Sequence, residues 1–387
     1  MEKILLVIFL LPFFTQGQEP TIESYQPKYV VADSWVDGTL MDNSKVDGFI
    51  YIKRNRTYYR LNYQGNLDGR YFGMTPDDKT DDSKALQAAI NYALRTSKNL
   101  VISSGKYYID NTILIPQHFS YSMKSVKIDF SNSRLVLRKD ITMFESDNWG
   151  TKIDSKITNG LVLGDFEIVN EAKTFESYAI KIQDFHQGAK LENISASNIK
   201  NLLHSKNNYY LELYNVNSNA QGGKRFLFDG YHGLNKFTKL TAVNSDISYS
   251  FEGGMVAALD MQNISVEGCR IGINFDSEVY NFNLKNSYLE NFSTALVFKN
   301  YVHSASIDNN YINFLGKGNT YLLEYKGLPI NNIHFNKGNT YLGTDFSNLV
   351  KNKEDIYGVG IVFEVEGLDS KRLNTLKQKV GKNISIK

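Results

Sequence analysis

One eight-residue pattern constrains this chain more than any other feature: apolar, any, apolar, any, Asn or Gly, small, any, apolar. It reads Leu240-x-Ala242-x-Asn244-Ser245-x-Ile247, then Ile264-x-Val266-x-Gly268-Cys269-x-Ile271. It returns as Phe282-x-Leu284-x-Asn286-Ser287-x-Leu289 and as Ala305-x-Ile307-x-Asn309-Asn310-x-Ile312. Weaker copies put Asn198, Asn215 and Lys337 at the turn position, and successive turn positions are 17, 29, 24, 18, 23 and 28 residues apart. Alternating apolar residues describe a strand with one face buried. Asn tolerates the left-handed backbone that a sharp corner requires. Stacked corners let Asn side chains hydrogen-bond along the stack. A unit of this size buries its apolar face only by stacking on its neighbours. The pattern therefore predicts an all-β chain wound as a parallel β-helix (solenoid), its coils rising about 4.8 Å each. A β-sandwich would not hold Asn at one phase of such a repeat, and leucine-rich repeats need a denser leucine framework.

The rest of the chain divides around that repeat. Ile4–Phe14 is an apolar run after Lys3, too short to span a bilayer but suited to a secretory leader, so 1–17 reads as a signal peptide. No later run is apolar enough to cross a membrane, and a secreted or periplasmic bacterial protein is expected. In 18–66, Phe49–Ile52 and Tyr58–Leu61 flank a charged turn, a hairpin signal. Within 67–98, Leu86, Ile90, Ala93 and Leu94 recur at helical spacing behind Asp81 and Asp82, whose charge suits a helix N-terminus. The β-helix is expected over 99–345, and 346–387 holds strands and a second amphipathic helix over 369–382. The two helices are expected to cap the open ends of the solenoid, which would otherwise expose unpaired sheet edges.

Composition narrows the function classes. Lys plus Arg is 43 and Asp plus Glu is 41, which argues against a nucleic-acid binder. The single cysteine, Cys269, excludes an intrachain disulfide or a thiolate metal site.

Phe72-Gly73, Thr80-Asp81-Asp82-Ser83-Lys84-Ala85-Leu86-Gln87-Ala88-Ala89-Ile90, Val101-Ile102 and Gly105-Lys106-Tyr107-Tyr108-Ile109 resemble the N-terminal cap of pectate-lyase-like right-handed parallel β-helix proteins. The lead-in from Met41–Gly48 through Arg60 resembles segments that precede this cap in bacterial and phage members. That superfamily includes polysaccharide lyases, polygalacturonase- and rhamnogalacturonase-type hydrolases, epimerases and phage tailspikes. The resemblance implies a right-handed helix and a polysaccharide or oligosaccharide partner, the protein being a monomer or, like tailspikes, a homotrimer. The polygalacturonase signatures Asn-Thr-Asp, Gly-His-Gly and Arg-Ile-Lys are absent, so no catalytic residue carries over.

Candidate residues therefore come from coil phase. Asp184 and His186 lie at nearly the same phase before Asn198 as Asp229 and His232 before Asn244; Glu252, Asp276 and Glu278 follow in later coils. Glycoside hydrolysis needs two carboxylates, and adjacent coils would set them near the spacing of retaining enzymes. Asp184, Asp229, Glu252, His232, Asp276 and Glu278 are thus the catalytic candidates. His186, Tyr231, Tyr249, Lys224 and Arg225 are the substrate-binding candidates, tyrosine for stacking on sugars and cations for acidic groups. A lyase would instead neutralise a uronate carboxylate, either with Ca²⁺ held by Asp276 and Glu278 with Asp229 or Glu252, or with Arg or Lys. It would also need a base, and His232, His186, Lys224 and Arg225 are the candidates for base or neutraliser. The other reading is a non-catalytic glycan binder, such as an adhesin or a tailspike-like receptor-binding protein.

Overall fold

The computed structural model describes residues 28–117, 125–151, 157–314, 320–326, 332–343, 349–351, 360–365, 374, 377 and 384–387. The chain is a parallel β-solenoid of about 10 turns. Strands separated by roughly one coil pair in parallel through 26 strands of one sheet, as the repeat predicts. Six strands carry the discussion below: β1 (Tyr178–Gln183), β2 (Asn201–Lys206), β3 (Lys224–Asp229), β4 (Ile247–Gln262), β5 (Ser265–Lys285) and β6 (Tyr288–Phe298). Each pairs with the strand one coil on, in the order β1, β2, β3, β4, β5, β6.

The uneven steps of the sequence pattern have a structural cause: it samples two different corners of the coil. Asn244 and Gly268 occupy one corner, flanked by the Val243–Glu267 register pair. Asn263, Asn286 and Asn309 occupy another, following the Gln262–Lys285 and Lys285–Asp308 pairs. All of these have positive φ, between 51° and 63°. Within a corner the repeat is regular; Asn309 donates to Asn286 Oδ1 at 2.6 Å across a separation of 23 residues. Gly268 stands where the others have Asn and keeps the same left-handed backbone, at φ 63°. Asn215 lies further back along the second corner, after Tyr214, which is in register with Thr238 and through it with Gln262; it donates to Asn193, which donates to Asp165. Lys337 is not a left-handed corner; Asn339 takes the buried place instead, accepting from the Asn310 backbone at 3.0 Å.

The core is built one ring per coil. Phe228, Phe251, Phe275 and Phe298 stack at 4.7, 4.8 and 4.9 Å with nearly parallel planes, and all four are fully buried. Phe226 stacks on Tyr249 beside them at 5.0 Å. Such offset ring stacks add to the burial of their large apolar surface. They also fix the strand register, because a slip of one residue would turn every ring outward.

The predicted helix forms as α1 (Ser83–Thr96), and packs its Leu86, Ile90 and Leu94 face inward. Asp81, not Asp82, receives a free N–H group of the first turn, accepting from Ser83 N, and it also accepts from the distant Asp110 N. Asp82 is buried and its carboxyl is pushed up to about 6 by burial. The predicted hairpin pairs Tyr51–Arg54 with Thr57–Leu61, and Tyr29–Val31 joins it as a third, antiparallel strand. Residues 1–27, including the expected leader, lie outside the described residues. So does most of 369–382, where only Asn374 and Lys377 are described, both helical and exposed. No helix among the described residues is long and apolar enough to cross a membrane.

Candidate functional site

The residue that follows each stacked phenylalanine points away from the core. Phe228, Phe251, Phe275 and Phe298 are thus followed by Asp229, Glu252, Asp276 and Lys299. Strand register puts these in one outward column, Lys206 beside Asp229, Asp229 beside Glu252 and Glu252 beside Asp276. Successive members are one strand spacing apart, about 4.8 Å. Three carboxylates in a row repel one another, and each is offset by a cation. Lys206 Nζ and His204 Nε2 both lie 3.8 Å from Asp229 Oδ2. Lys224 Nζ lies 2.5 Å from Glu252 Oε1, which also accepts from Ser250 at 2.7 Å. Lys299 Nζ lies 3.1 Å from Asp276 Oδ2.

These neighbours act on charge. The His204 imidazole, and after it Lys206, hold the Asp229 carboxyl below the usual range against the opposing effect of partial burial. Asp229 is therefore held in its charged form by its neighbours. Beside it, the Trp149 ring meets His204 edge-on at 4.6 Å, Tyr178 lies 5.1 Å from His204, and Lys181 Nζ sits 5.6 Å from the Trp149 ring centre. Burial, and then the charge of Glu252, raise the Tyr178 hydroxyl well above its ordinary value. Trp149, Tyr178, Lys181, His204 and Lys206 were not singled out from sequence. Register is the signal for three of them: Lys206 pairs with Asp229, His204 stands two residues before Lys206, and Lys181 pairs with His204, while Trp149 and Tyr178 join through ring contacts to His204.

Of the predicted catalytic set, Asp229, Glu252 and Asp276 share this column. Asp184 does not. Gln183 holds that phase, pairing with Lys206. Asp184 is the corner residue after it, at φ 55°, fully buried, and its Oδ2 accepts from Asn148 and Gln183. Glu278 stands past the next corner, in register with Met255, where its Oε2 accepts from Tyr280. The bulge at Gly253–Gly254 separates that column from the ladder. The anticipated Ca²⁺ cluster is not formed: among the described residues no three His, Cys, Asp or Glu side chains are placed to hold a metal ion.

The binding set is also redistributed. Lys224 faces the ladder. Arg225 is fully buried, and its guanidinium donates to the carbonyls of Ile199, Lys200, Ala220 and Val243, so no sugar can reach it. Tyr249 lies in the core ring stack for the same reason that Phe251 does: both point inward on β4. Tyr231 is exposed, beyond the corner that follows Asp229, and His186 meets Tyr209 edge-on at 5.2 Å on that same side.

His232 is an interior residue. Its Nε2 donates to the Asp229 carbonyl at 3.0 Å, Asn235 faces its Nδ1 at 3.4 Å, and burial drives it down to about 4. The consequence for stability has a definite sign. The unfolded chain binds a proton at His232 near pH 6.5, whereas the folded chain refuses it until about pH 4. Stability tied to this residue is complete above pH 6.5 and drains away as pH falls towards 4, by about 3 kcal/mol in all. In denaturant titrations, the gap between wild type and His232→Gln should narrow by that order between pH 7.5 and 4.5. A gap that stays constant with pH would show that His232 is not held neutral.

No family model matches the chain. A segment of 70 residues, 18% of this chain, is 36% identical to a glucan 1,3-beta-glucosidase of Cochliobolus carbonum, and spans 9% of that protein. Among solved structures, the chain resembles the Streptococcus pneumoniae surface protein and adhesin PfbA, with TM-score 0.44 and 11% identity over 83% of this chain and 96% of that one. It resembles the enzymatically active domain of bacteriophage CBA120 tailspike protein 2, with TM-score 0.46 and 12% identity over 94% and 54%. The catalytic domain of a GH87 alpha-1,3-glucanase is similar at TM-score 0.40 and 11% identity, over 85% and 70%. Similarity this distant assigns no chemistry.

Proposed function

We propose that this chain is an exported carbohydrate-active protein that binds a polysaccharide along the carboxylate ladder and hydrolyses it between Asp229 and Glu252. The observation that carries the reading is the register pair Asp229–Glu252, two outward carboxyl groups on adjacent rungs. One rung is close to the separation of about 5–5.5 Å that retaining glycosidases use. The similarity of one segment to a glucan-cleaving enzyme supports the same substrate class.

In this scheme Asp229, held ionised by His204 and Lys206, attacks the anomeric carbon. Glu252 gives a proton to the departing glycosidic oxygen and later takes one from the water that releases the sugar. Glu252 is ion-paired with Lys224, so its proton-donor form requires the bound sugar to displace that ammonium and to dry the carboxyl. The apolar leader run at 4–14 supports export.

The same ion pairs favour a second reading. A ladder in which each carboxylate already has a cation partner is also a hydrogen-bonding surface for a non-catalytic glycan binder. Incubation with neutral β-glucans, pectic and alginate-like polymers and bacterial polysaccharides separates the two. New reducing ends support hydrolysis. Unsaturated products would replace it with β-elimination, and binding with no product of either kind would replace it with the binder.

A further inference from the structure

Downstream of the ladder the same face changes sign. A hollow of about 480 Å³ opens between Arg270, Lys299, Lys326 and Lys351, over a floor that includes Ile247, Ile271 and Val297. Lys299 follows Asp276 in the ladder, two rungs or about 9.6 Å beyond Glu252, while Ile247 at the start of β4 brings the near edge of the hollow to the rung of Glu252 itself. Its one buried acid, Glu324, has a side chain only 6% exposed, with Lys326 Nζ at 2.8 Å and Lys351 Nζ at 3.3 Å. Burial would raise the Glu324 carboxyl, but the two ammonium groups pull it down, so it stays charged and anchors both lysines at the rim. Lys351 is further held over the Tyr321 ring at 5.6 Å. Among the described residues, four cations at the hollow face two carboxylates, Glu324 and Asp276, and Arg270 is exposed.

We infer that this hollow is a subsite for an acidic group of a bound glycan, and that the ligand is a heteropolysaccharide carrying that group beside neutral units. A floor that mixes Ile247, Ile271 and Val297 with the polar side chains of Asn274, Ser293 and Thr294, under a cationic rim, fits a sugar ring bearing a carboxylate or sulfate. The three consecutive carboxylates next to it are already paired with Lys206, Lys224 and Lys299, so that stretch offers hydrogen-bond acceptors and no spare positive charge, and it suits neutral units over Asp229, Glu252 and Asp276. The inference rests on the proposed polysaccharide ligand and adds its charge pattern.

Calorimetric titration of the full chain against three oligosaccharides of equal length tests it. The three are a linear heteroglycan with a single uronate per repeating unit, a neutral β-glucan, and a homopolymeric uronate. The heteroglycan should bind about tenfold or more tighter than either of the others, and the advantage should shrink as salt rises. Arg270→Gln with Lys299→Gln should erase the advantage; both side chains are exposed or half-exposed, and neither holds the buried Glu324. Retention of the heteroglycan preference in that double variant would overturn the subsite. Equal binding of the neutral glucan would overturn it while leaving the proposed function standing, as would a homopolymeric uronate binding as tightly as the heteroglycan. Inorganic sulfate that binds alone but does not compete with the heteroglycan would reduce the hollow to an incidental anion site and overturn the inference. Failure of all three sugars to bind would sink this inference and the proposed function together.

Discussion

Replacing Asp229 with asparagine is expected to lower the rate of polysaccharide cleavage by about 10²- to 10⁴-fold, the usual contribution of a positioned catalytic carboxyl. The substitution is nearly isosteric and removes the one carboxylate that His204 and Lys206 keep ionised. Its side chain is 38% exposed, so the fold should survive, and an unchanged denaturation midpoint would confirm that the loss is chemical. Glu252→Gln should cost a similar factor. The double variant should fall little below the worse single one, because two groups serving one displacement do not add. Reducing-end assays on the most active substrate measure all three. Full activity in Asp229→Asn would remove the proposed pair from the chemistry and return the ladder to a binding role.

The architecture was open to sequence reasoning because corners and strands leave separate marks. Asn at a left-handed corner and alternating apolar residues on either side are local properties, visible without knowing which coil lies beside which. The site depended on a finer quantity, the phase of each residue within its coil, and there an error of one residue moves a side chain from surface to core. Asp184 shows this: counted back from Asn198 it matched Asp229, yet Gln183 is the residue in register, and Asp184 turns inward at the corner. The reliable ruler was present but unread. Leu227-Phe228-Asp229, Ser250-Phe251-Glu252, Asn274-Phe275-Asp276 and Val297-Phe298-Lys299 repeat one unit of outward, core ring and outward charge. Arg225 and Tyr249 failed for a different reason. Both are amphipathic residue types usually met at surfaces, and only tertiary contacts reveal that the guanidinium is enclosed by backbone carbonyls.

That ruler makes a second large prediction, linking core to site. Phe251→Ala should destabilise the chain by about 3–5 kcal/mol, the range for removing a fully buried phenylalanine. Phe251 has ring contacts above and below, to Phe228 at 4.7 Å and Phe275 at 4.8 Å, so its removal leaves a void that neither neighbour can fill without losing its own stacking. The backbone at 251 carries Glu252 on its outer side, between Asp229 and Asp276. Any collapse of the sheet into the void therefore shifts Glu252 relative to Asp229, and separations of catalytic groups tolerate little shift. Phe251→Leu keeps most of the volume and should cost much less in stability, with activity largely retained. Denaturant midpoints and cleavage rates for the two variants check both halves. A loss below about 1 kcal/mol in Phe251→Ala would mean that the ring stack does not set the register, and the link from the core column to the carboxylate column would fail with it.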